Sequence, residues 1–289
     1  MQINKESREL LEKVMTRLHN SIKNPWETQM EPYQVVPNVF YVGNKYVGSY
    51  LLKTDAGLIL IDATLQETAY LLIESIRKLG FDPQKIKKLL ISHGHIDHCG
   101  AARLIQEYTG CEIYFPQGDA FFLTDRRDLL LGDVPDFKVT GNYDYNSQMD
   151  FGNIRIKPVH TPGHTPGCTS FLISVDIGIE KLLLGMHGGM GLNGLSLAEL
   201  EQNHLPASLQ KDYEKSLKEI SKVPVDIVIP SHISHYPGNY MEMVRENDGS
   251  GKSMRIPGAW QQMMQDRISQ IENLIERDQK MMSDLNTDI

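Results

Sequence analysis

Cysteine is scarce. Three in 289 residues provide no disulfide framework, and the odd number leaves at least one thiol free, so a reducing compartment is the simpler expectation. Positive charge is short as well: 29 Lys and Arg stand against 37 Asp and Glu, giving a formal net charge of -8. With a pI near 5.7, that balance argues against a nucleic-acid binder held by bulk electrostatics. Long apolar runs are absent, and none approaches the ~18 residues of a membrane span. Residues Met1 to Ser21 also lack the unbroken apolar segment of a secretory leader. A leader trimmed from the chain aside, the expected location is the cytoplasm, with neither a membrane nor a nucleic acid as partner.

What is present is ordinary for a soluble globular protein: 40% hydrophobic and 23% charged residues, in a length sufficient for one large domain or two modest ones. No linker or low-complexity stretch divides the chain, so residues 1–289 read as a single domain. Apolar residues at Leu10, Leu11, Val14, Met15, Leu18 and Ile22 have helical spacing. Asn24-Pro25 ends that helix, which leaves an N-terminal helical segment within residues 1–24. Short β-rich runs follow at Val39–Val42, Tyr50–Lys53 and Leu58–Asp62, then a helix over Gln66–Lys78 closed by Gly80. Lys88–Ile91 reads as a buried strand, Ala101–Tyr108 as a helix and Glu112–Phe115 as a strand. The second half repeats the mixture, with strands near Ile154–Pro158, Thr169–Ile173, Leu182–Leu184 and Asp226–Pro230, and a helix over Gln210–Ser221. Ser234–Pro257, rich in Gly, Asn and Pro, reads as an extended surface loop. A long helix fills Ala259–Asp284, in a C-terminal segment spanning 259–285. Strands punctuated by helices in both halves imply sheets covered by helices.

The chemical signal is Ser92-His93-Gly94-His95-Ile96-Asp97-His98-Cys99-Gly100, directly after an apolar strand. In an extended segment, His93 and His95 point to the same side, because side chains alternate with period two. Both can therefore reach one ion. Asp97 and His98 lie where the chain must turn into the next helix and can address a second ion beside it. A lone His is more often a hydrogen-bonded residue than a ligand, but three His and an Asp packed this tightly are hard to satisfy without a cation. Neutral imidazole and carboxylate suit zinc, and a catalytic site leaves a coordination position for water. Two further elements complete a two-metal set. Thr161-Pro162-Gly163-His164-Thr165-Pro166-Gly167 frames His164 in a rigid loop, which favours it over His160 at a strand end. Asp226-Ile227-Val228-Ile229-Pro230-Ser231-His232 places His232 at a strand exit, nearer the strand than His235.

Asp62, His-x-His-x-Asp-His, Gly-His-Thr-Pro-Gly and a late Ser-His, in that order, resemble the metallo-β-lactamase superfamily over about residues 33 to 285. The resemblance implies an α/β fold, the αβ/βα four-layer sandwich, with two mixed β-sheets face to face, helices on the outer faces and metals at one edge. Among the β-lactamases the third subclass is most similar. Carried over by position, the resemblance implies a first zinc on His93, His95 and His164 and a second on Asp97, His98 and His232. That makes two Zn2+ per chain, although nitrogen and oxygen ligands also accept iron or manganese. Asp62 resembles the family's buried acid that supports the ligand loop rather than binding metal. The implied reaction is hydrolysis of an amide in a small-molecule substrate by metal-activated water, with Asp97 orienting the attacking water. β-Lactams are the substrates the resemblance suggests, and a β-lactamase-like intracellular hydrolase fits the missing export signal.

One departure narrows the choice. Many superfamily hydrolases, among them thioesterases and lactonases, carry a bridging Asp after a strand in a Gly-Asp motif. The corresponding stretch here is Leu183-Leu184-Gly185-Met186-His187-Gly188, so the position holds Met186, or His187 if the alignment slips by one. A thioether is a poor substitute for a bridging carboxylate on zinc. The departure favours third-subclass-like architecture over lactone, thioester or phosphoester hydrolysis, which stand as the alternative. A metal-holding module without hydrolysis ranks below both, since pure binding would not need an open two-metal site. Trp26, Phe121, Tyr143, Tyr145, Tyr236 and Tyr240 are the expected wall residues of the substrate site. Cys99 and Cys168 flank the ligand loops and read as small buried hydrophobes.

Overall fold

A computed structural model describes residues 3–287, with side chains described through residue 284. The chain opens with helix α1 (Lys5–Lys23), whose N-cap Asn4 accepts from Ser7 N at 2.8 Å. Six strands then form one sheet: β1 (Tyr33–Val36), β2 (Val39–Tyr41), β3 (Tyr50–Thr54), β4 (Gly57–Ile61), β5 (Ile86–Leu90) and β6 (Glu112–Tyr114). They lie in sequence order, antiparallel through β4, then parallel from β4 to β5 and β6. The parallel pairs require crossovers. Helix α2 (Ala69–Lys78) makes the first, and α3 (Ile96–Cys99) with α4 (Ala102–Thr109) the second.

The second sheet has the order β11-β10-β9-β8-β7, from β7 (Met149–Asp150), β8 (Ile154–His160), β9 (Thr169–Ile177), β10 (Glu180–Met186) and β11 (Ile227–Val228). Only β10 and β11 are parallel there. Alternation with period two builds the layer between the sheets. Tyr50, Leu52, Ile59 and Ile61 from the first sheet share one buried cluster with Ile154, Ile156, Phe171 and Ile173 from the second. The opposite face of the first sheet, with Leu51, Leu60 and Leu89, packs on Leu72 and Ile76 of α2 and Ile105 of α4. Helices α5 (Leu197–Gln202), α6 (Leu209–Ile220), α7 (Tyr240–Glu246) and α8 (Ala259–Thr287) complete the second half. A Cβ on Gly185 of β10 would stand 3.0 Å from the Trp260 ring, so α8 covers the outer face of the second sheet. The result is helix, sheet, sheet, helix: the αβ/βα sandwich expected of the sequence.

Two local readings need correction. Tyr33–Val36 is a strand that the pattern before Pro37 did not reveal. Ser234–Pro257 is not an extended loop: it contains α7, capped by Asn239, and buries Tyr236, Tyr240 and Met254. The physical reason is a tether to the edge of the first sheet. The Asn247 Nδ2 donates to the carbonyls of Gln34 and Val35 at 2.9 and 3.0 Å, which folds the segment back onto β1.

Candidate metal centre

The loops after β5, between β8 and β9, and after β11 all leave the sandwich at one edge. A backbone bond from Thr169 N to the Ser92 carbonyl, 2.8 Å, joins the two sheets there. The loop between β8 and β9 turns tightly against α6, where a Cβ on Gly163 would fall 2.1 Å from the Tyr213 ring. These loops carry all six residues singled out from the sequence to a common point. His93 Nε2 lies 3.1 Å from His95 Nδ1, which lies 3.0 Å from His164 Nε2. Beside them, His98 Nε2 lies 3.1 Å from His232 Nε2, with the Asp97 carboxylate 3.8 and 3.6 Å from those two nitrogens. Two groups can each hold a cation: His93, His95 and His164, and His93, Asp97 and His98, with His232 in contact with the latter. Tetrahedral zinc with bonds of about 2.05 Å would place its nitrogens ~3.3 Å apart, so the donors fit the ion in kind and spacing.

The outward nitrogens fix the tautomers. His164 Nδ1 donates to the Gly191 carbonyl at 3.1 Å and His232 Nδ1 to the Tyr46 carbonyl at 2.9 Å. A carbonyl only accepts, so each Nδ1 carries the proton and each Nε2 presents a lone pair to the centre. His98 Nδ1 donates to Asp62 at 2.7 Å. Asp62 is fully buried and also accepts from Ser92 N at 2.7 Å and Ser92 Oγ at 2.8 Å. Its backbone is left-handed, φ 56°, a conformation that Asp tolerates better than most residues.

A second buried acid, Asp119, was not singled out from the sequence. It lies on the short helical turn Gln117–Leu123 and is wholly buried. One oxygen accepts from Gly94 N at 2.9 Å and Thr165 Oγ1 at 2.8 Å, the other from Gly167 N at 2.6 Å. Asp119 therefore staples the His93–His95 loop to the His164 loop. Burial pushes its pKa up to about 6, against the pull of its three donors.

Burial also sets the charge of the imidazoles. It holds His93 and His164 well below the ordinary range, His95 down to about 4 and His232 down to about 3, with His98 reinforcing it in each case. His98 is the exception: burial opposes its charge, but Asp97 and Asp62 outweigh that and hold its pKa above the ordinary value. For Asp97, burial opposes ionisation, yet His98, His232, His95 and Arg17 together hold the carboxyl below the usual range.

His160 stays outside, donating to the Pro166 carbonyl at 2.9 Å and stacking on Tyr145. His187 is buried just beyond β10, with Gly189 N donating to its Nδ1, and belongs to neither cation-capable group. Cys99, Cys111 and Cys168 are free and buried.

A cavity of about 390 Å³ reaches His95, Asp97, His164 and His232 and is walled by α1 and α8. Another, of about 140 Å³, reaches His95 and His164 from an apolar side formed by Leu11, Phe122, Leu129 and Leu205. None of the six aromatic residues expected at the wall lines either cavity. Tyr143 is held inside the sandwich by its hydroxyl bond to the Ile91 carbonyl, Tyr240 is buried against Tyr33, and Trp26 is 60% exposed elsewhere.

Comparison with known proteins places this architecture. The model of the metallo-β-lactamase superfamily matches residues 42–183. A probable metallo-hydrolase of Bacillus subtilis, YqgX, is 28% identical over 152 residues, 45% of this chain and 72% of that protein. The N-acyl homoserine lactonase AttM of Agrobacterium fabrum is 29% identical over 119 residues, 35% of this chain and 41% of its own length. Among solved structures, BJP-1, a subclass B3 metallo-β-lactamase of Bradyrhizobium japonicum, superposes with a TM-score of 0.78 at 23% identity. That match covers 90% of this chain and 99% of BJP-1. Among the described residues no helix is long and apolar enough to cross a membrane. The superfamily model matched over residues 42–183, the shared fold and the His-rich cation-capable cluster at the sheet edge make the chain similar to the metal-dependent hydrolases of the metallo-β-lactamase superfamily.

Proposed function

We propose that the protein is a binuclear zinc hydrolase that cleaves an amide in a small-molecule substrate. In this reading His93, His95 and His164 hold one ion, and Asp97, His98 and His232 hold the other. The observation that carries it is the convergence of six donors on two adjacent points, with the outward nitrogens of His98, His164 and His232 each tied to an acceptor. When bound, zinc supplies a Lewis acid and a water acidic enough to serve as nucleophile at neutral pH. The chain's own residues do the positioning. Asp97 lines the larger cavity, where its carboxylate would orient the attacking water. Helices α1 and α8 wall this cavity, whose volume of about 390 Å³ suits a small molecule. β-Lactams are the first substrates to try, since proteins of this fold named as β-lactamases are among its structural neighbours. The free, buried cysteines suit the reducing cytoplasm.

A lactone substrate is the second reading, favoured by the similarity to AttM. Against it stands the stretch after β10, where Met186 is buried in the core between the sheets and His187 stands apart from the ligand groups. Neither residue supplies a bridging carboxylate.

The test is metal content together with hydrolysis of a chromogenic cephalosporin, on the wild type and on His95→Ala. Two zinc ions per chain, turnover in the wild type, and loss of both metal and turnover in the variant are expected. Two metals without turnover would move the search to lactones, thioesters and phosphoesters, and no metal after zinc-replete preparation would sink the reading.

The imidazole charges yield a further expectation. His93, His95 and His164 are already neutral at pH 7, so filling their site releases almost no protons. Asp97 and Asp62 hold the His98 pKa above the ordinary value, so filling the second site releases more protons than filling the first. Affinity at the second site should therefore rise with pH through the His98 pKa and level off above it, while the first site stays flat. Calorimetry in buffers of different ionisation enthalpy separates the two, and equal proton release at both sites would refute the assignment.

A further inference from the structure

The larger cavity has a chemical bias that the ligand set does not explain. Lys13 and Arg17 enter its wall from α1, four residues apart and hence on one helix face, and Arg267 enters from α8. Among the described residues none of the three forms an ion pair, although their neighbours do: Lys5 pairs with Glu9, and Arg277 of α8 pairs with Glu6 of α1. Arg17 lies over the Tyr46 ring, 5.9 Å from its centroid, and Arg267 donates only to the neutral Gln270, at 2.9 Å. In a chain of net charge -8, three cations with no direct ion pair among the described residues converge on one cavity, in which Asp97, within electrostatic reach of Arg17, is the acid. A second observation points the same way. The Nε of Arg267 and the Nδ1 of His235 are buried polar atoms without a hydrogen-bond partner among the described residues, and both side chains line this cavity. Such groups are satisfied when a ligand brings acceptor oxygens.

Building on the metal-site reading above, we propose that Arg17 and Arg267, with Lys13 beside Arg17, bind oxyanion groups of the substrate, which carries at least two negative charges. One carboxylate can occupy the fork of one guanidinium. The two guanidiniums stand on separate helices, and Lys13 adds a third charge, so a single carboxylate leaves most of the wall unneutralised. A dicarboxylate or a phosphate-bearing molecule matches it. The site is supplied by the two terminal helices rather than by the strand-end loops that hold the ligands, so specificity and metal binding reside on different parts of the chain.

The test uses the full-length, zinc-loaded protein and the Arg17→Gln/Arg267→Gln variant, each checked for metal content and thermal unfolding. Both are titrated calorimetrically with inorganic phosphate and with acetate. The double variant is expected to bind phosphate roughly tenfold or more weakly, with acetate affinity changed less than about threefold. Lys13→Gln, on an exposed side chain that folding does not need, should lower phosphate affinity in the same direction by a smaller factor. Equal phosphate affinity in wild type and variants, with metal in place, would overturn the proposal, because the metals alone would then account for binding. If the wild type holds no zinc, the binuclear reading fails by itself, and the phosphate comparison still decides whether the cations bind the anion.

Discussion

Replacing Asp119 with alanine should cost the folded protein at least about 3 kcal/mol and loosen both ligand loops. Three donors lose their acceptor at once: Gly94 N, Gly167 N and Thr165 Oγ1. Each buried donor left unsatisfied costs ~1–3 kcal/mol. The backbone around it has little room to close the gap. A Cβ on Gly167 would meet Asp119 N at 2.5 Å, and one on Gly118 would meet Gly167 Cα at 2.7 Å, so the two segments already touch. For a chain of this size, the loss corresponds to a drop in Tm of roughly 6 °C or more. Because Gly94 sits between His93 and His95, and Thr165 follows His164, cation affinity at the group of His93, His95 and His164 should fall too. Asn at 119 should restore part of the stability, since it keeps one acceptor oxygen but turns an amide N–H toward one of the donors. Thermal unfolding with and without zinc, for both variants, reads the effect. An unchanged Tm in Asp119→Ala would show that the staple contributes nothing.

The contrast between Asp119 and the six candidate ligands shows what kind of information a single sequence carries. His93, His95, Asp97 and His98 fall within six residues, on the bend after β5 and the short helix α3 that follows it, so their convergence is a local matter. His164 and His232 are framed by Pro, Gly and strand exits, which mark them locally as well. The alternating and helical patterns likewise made the layered α/β architecture legible. Asp119 has no such mark. It is one acid in a polar turn, and its partners are 25 and 48 residues away. The same holds for the cavity wall. The apolar stripe of α1 was plain, but only the packing of α1 beside α8 turns Lys13, Arg17 and Arg267 into one surface. The aromatic residues expected there were misplaced because Tyr143 and Tyr240 satisfy their hydroxyls inside the sandwich, which composition does not reveal. The segment from Ser234 to Pro257 read as a loop because it is rich in Gly, Asn and Pro. Its Asn247 instead caps the open carbonyls of β1, a contact across more than 200 residues.

If the protein is the two-zinc enzyme proposed above, Asp62→Asn should separate the two metal positions. Asp62 accepts from His98 Nδ1, Ser92 N and Ser92 Oγ, and two of these three donors bear on the loop that begins at Ser92. The carboxylate fixes His98 with Nδ1 protonated and Nε2 turned to Asp97 and His232. It also makes that imidazole more basic, hence a stronger donor to a cation. An amide keeps the shape but removes the charge and turns an N–H toward either His98 or Ser92. Losing a partner of this kind typically lowers metal affinity by about 10–100-fold. The weakening should fall mainly on the Asp97, His98 and His232 position. His93 feels it less, through the 3.1 Å contact of its Nδ1 with Ser92 Oγ, and His95 and His164 have no direct contact with Asp62. Under a chelator of graded strength, the variant should lose one equivalent of zinc well before the other, whereas the wild type loses the two closer together. Proton release on filling the second position should shrink as well, because part of the charge that raises the His98 pKa is gone. If the variant lost both ions in parallel, Asp62 would be a support of the whole loop rather than of His98, and the two positions would have to be treated as one cooperative unit.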